Sequence, residues 1–262
     1  MKKIIRNLIG KFGYSIYKRE NYISVYNDIE DEKEFWEIYN FCKPYTKTGI
    51  ERMYALYCAV NNILINNIPG DFVECGVWRG GSSRLIGKML SEKGITNRKI
   101  YLYDTFEGMT PPTEDDKDLN GYMADKLMKE SEEEDKGTTI WCVADLQDVQ
   151  QNMESTGLPL DNIVLVKGKV EDTIPDTVPE GPIALLRLDT DWYDSTKHEL
   201  VHLYPKLEIN GILIIDDYGH WQGCRKATDE YFNENKIGML LNRIDYTGRM
   251  GVKTSILKPD FK

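Results

Sequence analysis

Short apolar runs alternate with longer amphipathic stretches along most of this chain. Runs rich in β-branched and aromatic residues, which are typical of strands, occupy residues 71–75, 100–104, 138–143, 162–168, 182–189 and 211–216. Apolar residues recur at helical spacing in 51–67, in a stretch that ends near Lys93, from Asp145 onward, in 195–207 and in 222–232. Strands that alternate with helices are typical of parallel βαβ units. The pattern therefore predicts a doubly wound α/β sheet that is mostly parallel.

Three regions depart from this alternation. Residues 240–244 and 252–257 are strand-like and predict a reversed hairpin at one edge of the sheet. Residues 106–138 are rich in Pro, Glu, Asp and Lys, and a loop of this length predicts a lid with a small helix around 124–131; a solvated insertion is the alternative. We expect one domain over residues 51–262, preceded by a helical and basic extension over residues 1–50.

The start of the chain combines a basic and an apolar pattern. Residues 1–19 contain no acid, and Ile4, Leu8 and Phe12 recur at helical spacing. The basic residues in this stretch are Lys2, Lys3, Arg6, Lys11, Lys18 and Arg19. Such a helix suits either docking on its own domain or a second copy, or peripheral contact with the inner face of an anionic membrane. We expect a homo-oligomer, and membrane contact through residues 1–19 is the alternative use of this helix.

Composition excludes some classes of protein. A formal net charge of −10 argues against a nucleic-acid binder, because such affinity depends mainly on Lys and Arg contacts to phosphate. The five cysteines are scattered, form no C-x-x-C pair and follow no secretory signal, which predicts reduced thiols in a cytoplasmic protein. No apolar run approaches the roughly 20 residues that span a bilayer.

Glycines and an acid follow the first two predicted strands. The stretch ECGVWRGGSS at 74–83 is a glycine-bearing turn, where the backbone can approach a ligand and the next helix can hold an anion. It lacks G-x-G-x-x-G, which disfavours a nicotinamide enzyme. Asp104 ends the second strand and suits ribose hydroxyls, with a solvated helix cap as the alternative.

Three further acids end two strands that would be neighbours in the sheet. Asp189, Asp216 and Asp217 would make an all-oxygen site, which favours Mg²⁺ or Ca²⁺ over zinc. Helix capping explains one such acid but not three. Asp191 lies two residues past Asp189 and is a candidate general base or substrate contact.

Residues 198–202 spell HELVH, which matches the H-E-x-x-H pattern of zinc peptidases. His198 and His202 would share one helical face. Leu200 and Leu203 belong to the apolar stripe on the opposite face, which packs on the sheet and turns both histidines away from the core. We therefore interpret HELVH as a chance match, and a zinc metallopeptidase remains the alternative function.

Several long motifs together resemble one known family. They read PGDFVECGVWRGGSS, YLYDTFEGM followed by PPTEDD, VKGKVEDTIP, LLRLDTDWYDST and LIIDDYGHWQGCRKA. This set closely resembles the bacterial macrocin O-methyltransferases, which methylate hydroxyls on deoxysugars of antibiotics, over roughly residues 50–255. The resemblance implies a class I methyltransferase, Rossmann-like fold that uses S-adenosylmethionine and Mg²⁺.

The resemblance also implies roles for individual residues. It places the cofactor against Glu74, Gly76, Val77, Trp78, Ser82, Ser83, Asp104, Gly168, Val170 and Glu171. It assigns the metal to Asp189, Asp216 and Asp217. Asp191 would take the proton of a sugar hydroxyl, with His220 as an alternative base. The acceptor stays open between antibiotic, nucleotide-linked and surface-polysaccharide sugars.

Overall fold

The computed structural model describes residues 26–131 and 135–254. Its helices are Lys33–Cys42 (α1), Ile50–Ile65 (α2), Gly81–Glu92 (α3), Ala124–Glu130 (α4), Leu146–Glu154 (α5), Val170–Thr173 (α6), Tyr193–Leu203 (α7) and Gln222–Glu234 (α8). Its strands are Asp71–Cys75 (β1), Ile100–Asp104 (β2), Ile163–Lys167 (β3), Ile183–Leu188 (β4), Leu207–Ile215 (β5), Asn242–Arg243 (β6) and Arg249–Val252 (β7). The basic helix predicted over residues 1–19 lies outside the described residues.

The strands form one sheet of seven, in the order β3-β2-β1-β4-β5-β7-β6. Strands β1 to β5 pair in parallel, while β7 runs antiparallel to both β5 and β6. Every residue of the central strand β4 is buried, because helices cover both faces of a parallel sheet. The predicted doubly wound sheet with a reversed edge is confirmed, and β4 and β5 are neighbours as expected.

The strand predicted at residues 138–143 is wrong. This segment is a series of turns, and Cys142 has a left-handed φ of 47° that interrupts an extended backbone. Its backbone groups bond to loops: Trp141 O accepts from Met109 N at 2.9 Å, and Val143 N donates to Lys136 O at 3.0 Å. The apolar side chains that suggested a strand serve instead to pack this segment against the insertion.

The predicted hairpin is present but shorter and shifted. Arg249–Val252 pairs with residues 212–215 of β5, so the last strand begins before the predicted residue 252. Only Asn242 and Arg243 of the run 240–244 form a strand. Residues 255–257 of the predicted strand lie outside the described part of the chain.

The insertion after β2 is fixed to the domain. The predicted small helix is confirmed as α4. The side chain of Asp116 is fully buried and accepts from Thr113 N at 2.6 Å and from Tyr193 N, at the start of α7, at 2.8 Å. The backbone of Gln222, at the start of α8, donates to Lys117 O at 2.8 Å. A fully solvated insertion is therefore excluded for these residues.

The described chain divides into two compact units after Trp36. In the first unit, Trp36 Nε1 donates to Ile29 O at 2.7 Å. The second unit, from Glu37 onward, contains the whole sheet. The predicted boundary at residue 50 stays a prediction. None of the described helices is long and apolar enough to cross a membrane.

Candidate active site

A cavity of about 250 Å³ opens at the carboxyl edge of the sheet, where ligands bind in open α/β folds. The predicted site residues that line it are Glu74, Gly76, Val77, Trp78, Ser82, Asp104, Gly168, Val170, Glu171, Asp189, Asp191, Asp216 and Asp217. Ser83 is absent from this lining. Its side chain is fully buried and its hydroxyl donates to Glu74, so it supports the wall of the cavity instead of facing a ligand.

The glycine turn after β1 is shaped by close backbone approach. Gly76 has a φ of 81°, and a Cβ there would come within 2.0 Å of the carbonyl oxygen of Asp189. A Cβ on Gly81, the first residue of α3, would meet the backbone of Tyr45 at 2.5 Å. The two glycines therefore bring the ends of β1 and β4, and the segment before α2, close together at the cavity.

Asp104, at the end of β2, holds the glycine turn through hydrogen bonds to its backbone. Its Oδ2 accepts from Val77 N at 2.7 Å and from Trp78 N at 3.1 Å. Its Oδ1 accepts from Phe106 N at 2.7 Å and has only a weak contact with Thr105 Oγ1 at 3.4 Å. Burial raises the pKa of Asp104, and these backbone donors oppose that rise. Oδ1 retains capacity for one donor from a bound ligand.

A buried arginine, which the sequence analysis missed, lies beneath the acids. The Arg187 side chain on β4 is 3% exposed and donates to Glu74 at 2.5 Å, to Asp189 at 2.7 Å and to Asp216 at 2.7 Å. A buried charge is tolerated when it is paired and hydrogen-bonded. The apolar strand β4 can therefore hold the charge of Arg187, because three carboxylates from three strand ends compensate it.

A second arginine reaches the same acids from α2. Arg52 lines the cavity, donates to Asp216 and lies 3.1 Å from Asp245 Oδ2. Both oxygens of Asp216 thus bond to arginines. Burial works against ionisation of Asp216, but Arg187 and Arg52 outweigh it and lower its pKa.

Asp189, Asp191 and Asp217 form a compact acidic cluster. Each offers one oxygen, and these atoms lie within 4.8 Å of one another; in the described residues this is the group found with geometry to hold a metal ion. The pKa of each is raised well above its usual value, first by burial and then by the other carboxylates nearby. The cluster carries more negative charge than Arg187 compensates.

This cluster fits a hard divalent cation. Carboxylate oxygens are the ligands that Mg²⁺ prefers, and no sulfur or imidazole belongs to the group. The structure differs from the predicted ligand set by one residue. Asp191 lies in the cluster, whereas Asp216 would have to release an arginine to join it, because both its oxygens are already bonded.

Two segments beside the cavity, residues 45–48 and residues 137–142, are joined by a hydrogen bond from Lys47. Lys47 Nζ donates to Thr139 O at 2.7 Å and lies 4.9 Å from the centre of the Trp78 ring. The indole nitrogen of Trp78 donates to Gly137 O at 3.1 Å. Residues 45–48 and 108–110 line the cavity together with Cys142. No sequence signal indicated Lys47, because its partners lie about 90 residues away along the chain.

This chain is similar to known proteins of one family. Residues 13–251 match the family model described as macrocin-O-methyltransferase (TylF). The chain belongs to the macrocin O-methyltransferase family. It is therefore an O-methyltransferase that uses S-adenosylmethionine as methyl donor.

Individual members of the family cover most of the chain. Demethyldecarbamoylnovobiocin O-methyltransferase of Streptomyces niveus is 32% identical over 249 residues, which are 94% of this chain and 89% of that protein. An 8-demethyl-8-(2,3-dimethoxy-alpha-L-rhamnosyl)-tetracenomycin-C 4'-O-methyltransferase of Streptomyces olivaceus is 36% identical over 78% of this chain and 74% of its own length. The solved structure of the O-methyltransferase NovP has a TM-score of 0.70 at 31% identity, covering 80% of this chain and 83% of that one.

Membership of this family removes the zinc-peptidase alternative, and the structure agrees. His198 Nε2 lies 2.7 Å from Ile174 O, and the His198 and His202 rings are 4.4 Å apart. Neither ring belongs to the acidic group that can hold a metal among the described residues. Glu199 is fully buried and faces away from the histidines' surface. HELVH is therefore a chance match, as interpreted from the sequence.

His220, the alternative base, lies outside the lining of the main cavity. It lines a shallow groove beside α8 with Trp221 and Tyr218. Its Nδ1 is buried without a hydrogen-bond partner among the described residues, and burial lowers the pKa of the ring. The structure therefore gives Asp191, and not His220, a direct place at the cavity.

Proposed function

We propose that this methyltransferase moves the methyl group of S-adenosylmethionine to a sugar hydroxyl with the help of Mg²⁺. The main support for the proposal is the half-buried cluster of Asp189, Asp191 and Asp217, which faces the same cavity as the glycine turn. The relatives support a sugar-bearing acceptor, since one of them is a 4'-O-methyltransferase of a rhamnosyl-tetracenomycin. An antibiotic, a nucleotide-linked sugar and a polysaccharide sugar all satisfy this chemistry.

The cofactor would lie along the ends of β1 and β2. The turn from Gly76 to Ser82 would hold its methionine part, and Asp104 would accept a ribose hydroxyl through the free capacity of Oδ1. Val170 and Glu171, at the start of α6, line the far side of the cavity and would flank the adenine. This arrangement leaves the side near Asp191 for the acceptor.

The cation would be held by Asp189 and Asp217, which both the sequence and the structure group together. When bound, Mg²⁺ would lower the pKa of an acceptor hydroxyl and fix its direction. Asp216 holds Arg52 and Arg187 in place beside these ligands. Its predicted role as a third ligand requires one of these ion pairs to open.

Asp191 would accept the proton of the acceptor hydroxyl. As that proton leaves, the hydroxyl oxygen forms a bond to the methyl carbon, the bond from that carbon to sulfur breaks, and the sulfonium becomes a neutral thioether. The raised pKa of Asp191, caused by burial and adjacent carboxylates, makes its carboxylate a stronger base once ionised. Alignment of the two substrates supplies much of the rate.

Replacing Asp104 with asparagine is expected to weaken the binding of S-adenosylhomocysteine by roughly 10- to 100-fold, because a hydrogen bond to a charged group is lost. Asparagine keeps one oxygen for Val77 N and Trp78 N, while its NH2 group takes the place of the oxygen that accepts from Phe106 N and would accept from the ligand. Isothermal titration calorimetry measures the change. Asp71→Asn is the control, since Asp71 also accepts a backbone N–H, from Lys99, but lies at the opposite end of the sheet. Equal effects in both variants would contradict the assignment.

Removing divalent cations with EDTA is expected to stop methyl transfer, and Mg²⁺ to restore it, without loss of cofactor binding. Asp217→Asn is expected to raise the Mg²⁺ concentration needed for half-maximal activity by more than about tenfold, because a ligand is lost. Asp194→Asn removes the same charge from an exposed position nearby and should change nothing. Full activity in EDTA would show that the cluster does not use a metal.

A panel of acceptors tests the sugar assignment. Wild-type protein with S-adenosylmethionine and Mg²⁺ is incubated with a glycosylated antibiotic precursor, a nucleotide-linked deoxysugar and an oligosaccharide, and products are analysed by mass spectrometry. Methylation of one class identifies the acceptor. Transfer to a phenol or a protein, with none to any sugar, would overturn the sugar assignment while leaving the family intact.

We also propose that the enzyme is cytoplasmic, since all five cysteines are free thiols, as expected in a reducing compartment. Homo-oligomerisation and membrane contact through residues 1–19 stay predictions. Light scattering of the purified protein tests the first. Sedimentation with anionic vesicles, before and after removal of residues 1–19, tests the second.

A further inference from the structure

Glu199, the acid of the HELVH stretch, lies directly behind the acidic cluster. Its side chain on α7 is fully buried, and Oε1 accepts from Thr190 Oγ1 at 2.9 Å. Oε2 is also buried and has no oxygen or nitrogen donor in the described residues, and the buried Cys75 thiol lies beside the carboxyl. A buried acid in this state costs free energy, and nothing in the packing of α7 alone requires it.

Thr190 is the residue between Asp189 and Asp191. Its carbonyl oxygen accepts from Trp192 N at 2.8 Å, which closes a tight turn around Asp191. Asp191 in this turn has a left-handed φ of 69°. Aspartate adopts this conformation more readily than most residues with a side chain, but it still costs free energy that the surrounding contacts offset.

The other side of this segment is held by β1. Asp189 N donates to Cys75 O at 2.8 Å, and Gly76 approaches the Asp189 carbonyl too closely for any Cβ. The turn is therefore held on one side by the end of β1 and on the other by the side chain of Glu199. From α7, Glu199 bonds to the Thr190 hydroxyl at 2.9 Å, and Ser195 Oγ makes a longer contact of 3.4 Å with the Thr190 carbonyl.

We propose that Glu199 is a positioning residue for methyl transfer: its buried carboxyl holds the Thr190 hydroxyl and thereby the left-handed turn that presents Asp191 to the acceptor. This inference rests on the proposed role of Asp191 as the base. Burial raises the pKa of Glu199 well above its usual value, so glutamine is a close stand-in for the neutral acid. The hydrogen bond needs only an oxygen that accepts from Thr190 Oγ1.

Kinetics of three variants test the proposal. Glu199→Leu and Thr190→Val each remove the hydrogen bond and are expected to lower kcat by roughly 10- to 100-fold, because a small displacement of the base is costly. KM for both substrates and the affinity for S-adenosylhomocysteine should stay unchanged. Glu199→Gln keeps the acceptor oxygen and should restore kcat close to wild type. A loss of packing alone would not be rescued by glutamine in this way.

Crystal structures of Glu199→Leu and Glu199→Gln give a readout that does not depend on activity. Asp191 should leave the left-handed region in the leucine variant and keep it in the glutamine variant. An unchanged Asp191 φ in Glu199→Leu, or wild-type kcat in both Glu199→Leu and Thr190→Val, would overturn the proposal. If Glu199→Leu does not fold, Thr190→Val decides it. Absence of methyl transfer by the wild-type protein would contradict the proposed function instead.

Discussion

Replacing Arg187 with methionine is expected to lower the free energy of unfolding by about 3–5 kcal/mol, the usual cost of removing one partner from a buried ion pair. Arg187 is 3% exposed and faces Glu74 and Asp216, which are 1% and 3% exposed, as well as Asp189. Without the guanidinium, Glu74 stays buried with no cation beside it among the described residues, and Asp216 keeps only Arg52. Urea denaturation of the cofactor-free protein measures the change.

The matched control is Arg79→Met. Arg79 makes two charged hydrogen bonds of 2.7 Å to Asp148, one fewer than Arg187 makes to carboxylates, and its side chain is 36% exposed. Exposed pairs contribute only about 0–1 kcal/mol because water and salt screen them. Equal destabilisation by the two substitutions would contradict the view that Arg187 compensates the charge beneath the site.

Replacing Asp191 with asparagine is expected to lower kcat by roughly 10²- to 10⁴-fold, the range typical for loss of a general base. Asparagine has nearly the same shape and tolerates a left-handed φ, so the turn at 69° should survive. The affinity for S-adenosylhomocysteine should stay unchanged, because we propose that Asp191 faces the acceptor and not the cofactor. Single-turnover assays with saturating cofactor and Mg²⁺ measure the rate.

Asp194→Asn is the control for this experiment also, since it neutralises an exposed acid three residues away. It should leave kcat at the wild-type value. A wild-type kcat in Asp191→Asn would remove Asp191 as the base and direct attention to His220, the other candidate. A loss of cofactor affinity together with kcat would instead place Asp191 on the donor side.

The fold followed from the sequence because its parallel strands are apolar and alternate regularly with helices. Runs such as 183–188 are buried on both faces, which leaves little ambiguity about their state. The strand predicted over residues 138–143 was wrong because the apolar residues of this segment pack against the insertion and not in the sheet. A left-handed residue such as Cys142 has no signal in sequence, since φ is imposed by the surrounding contacts.

The sequence indicated the acids of the site but not its arginines. Acids at strand ends could be found, since topology alone brings Asp189, Asp191 and Asp217 together. Arg187 was hidden inside an apolar strand, and Arg52 lies in a helix far away along the chain. Which acid bonds to an arginine and which stays in the cluster depends on side-chain geometry. Pattern reasoning could therefore not separate Asp216 from its neighbours.

We propose that the acidic cluster supports metal-dependent methyl transfer to a sugar hydroxyl. Mass spectrometry of a sugar acceptor incubated with S-adenosylmethionine tests this, with Mg²⁺ or with EDTA, and with wild-type or Asp191→Asn protein. We expect one added methyl group on the sugar with wild-type protein and Mg²⁺ only. Equal methylation in EDTA or by Asp191→Asn would show that neither the metal nor Asp191 takes part.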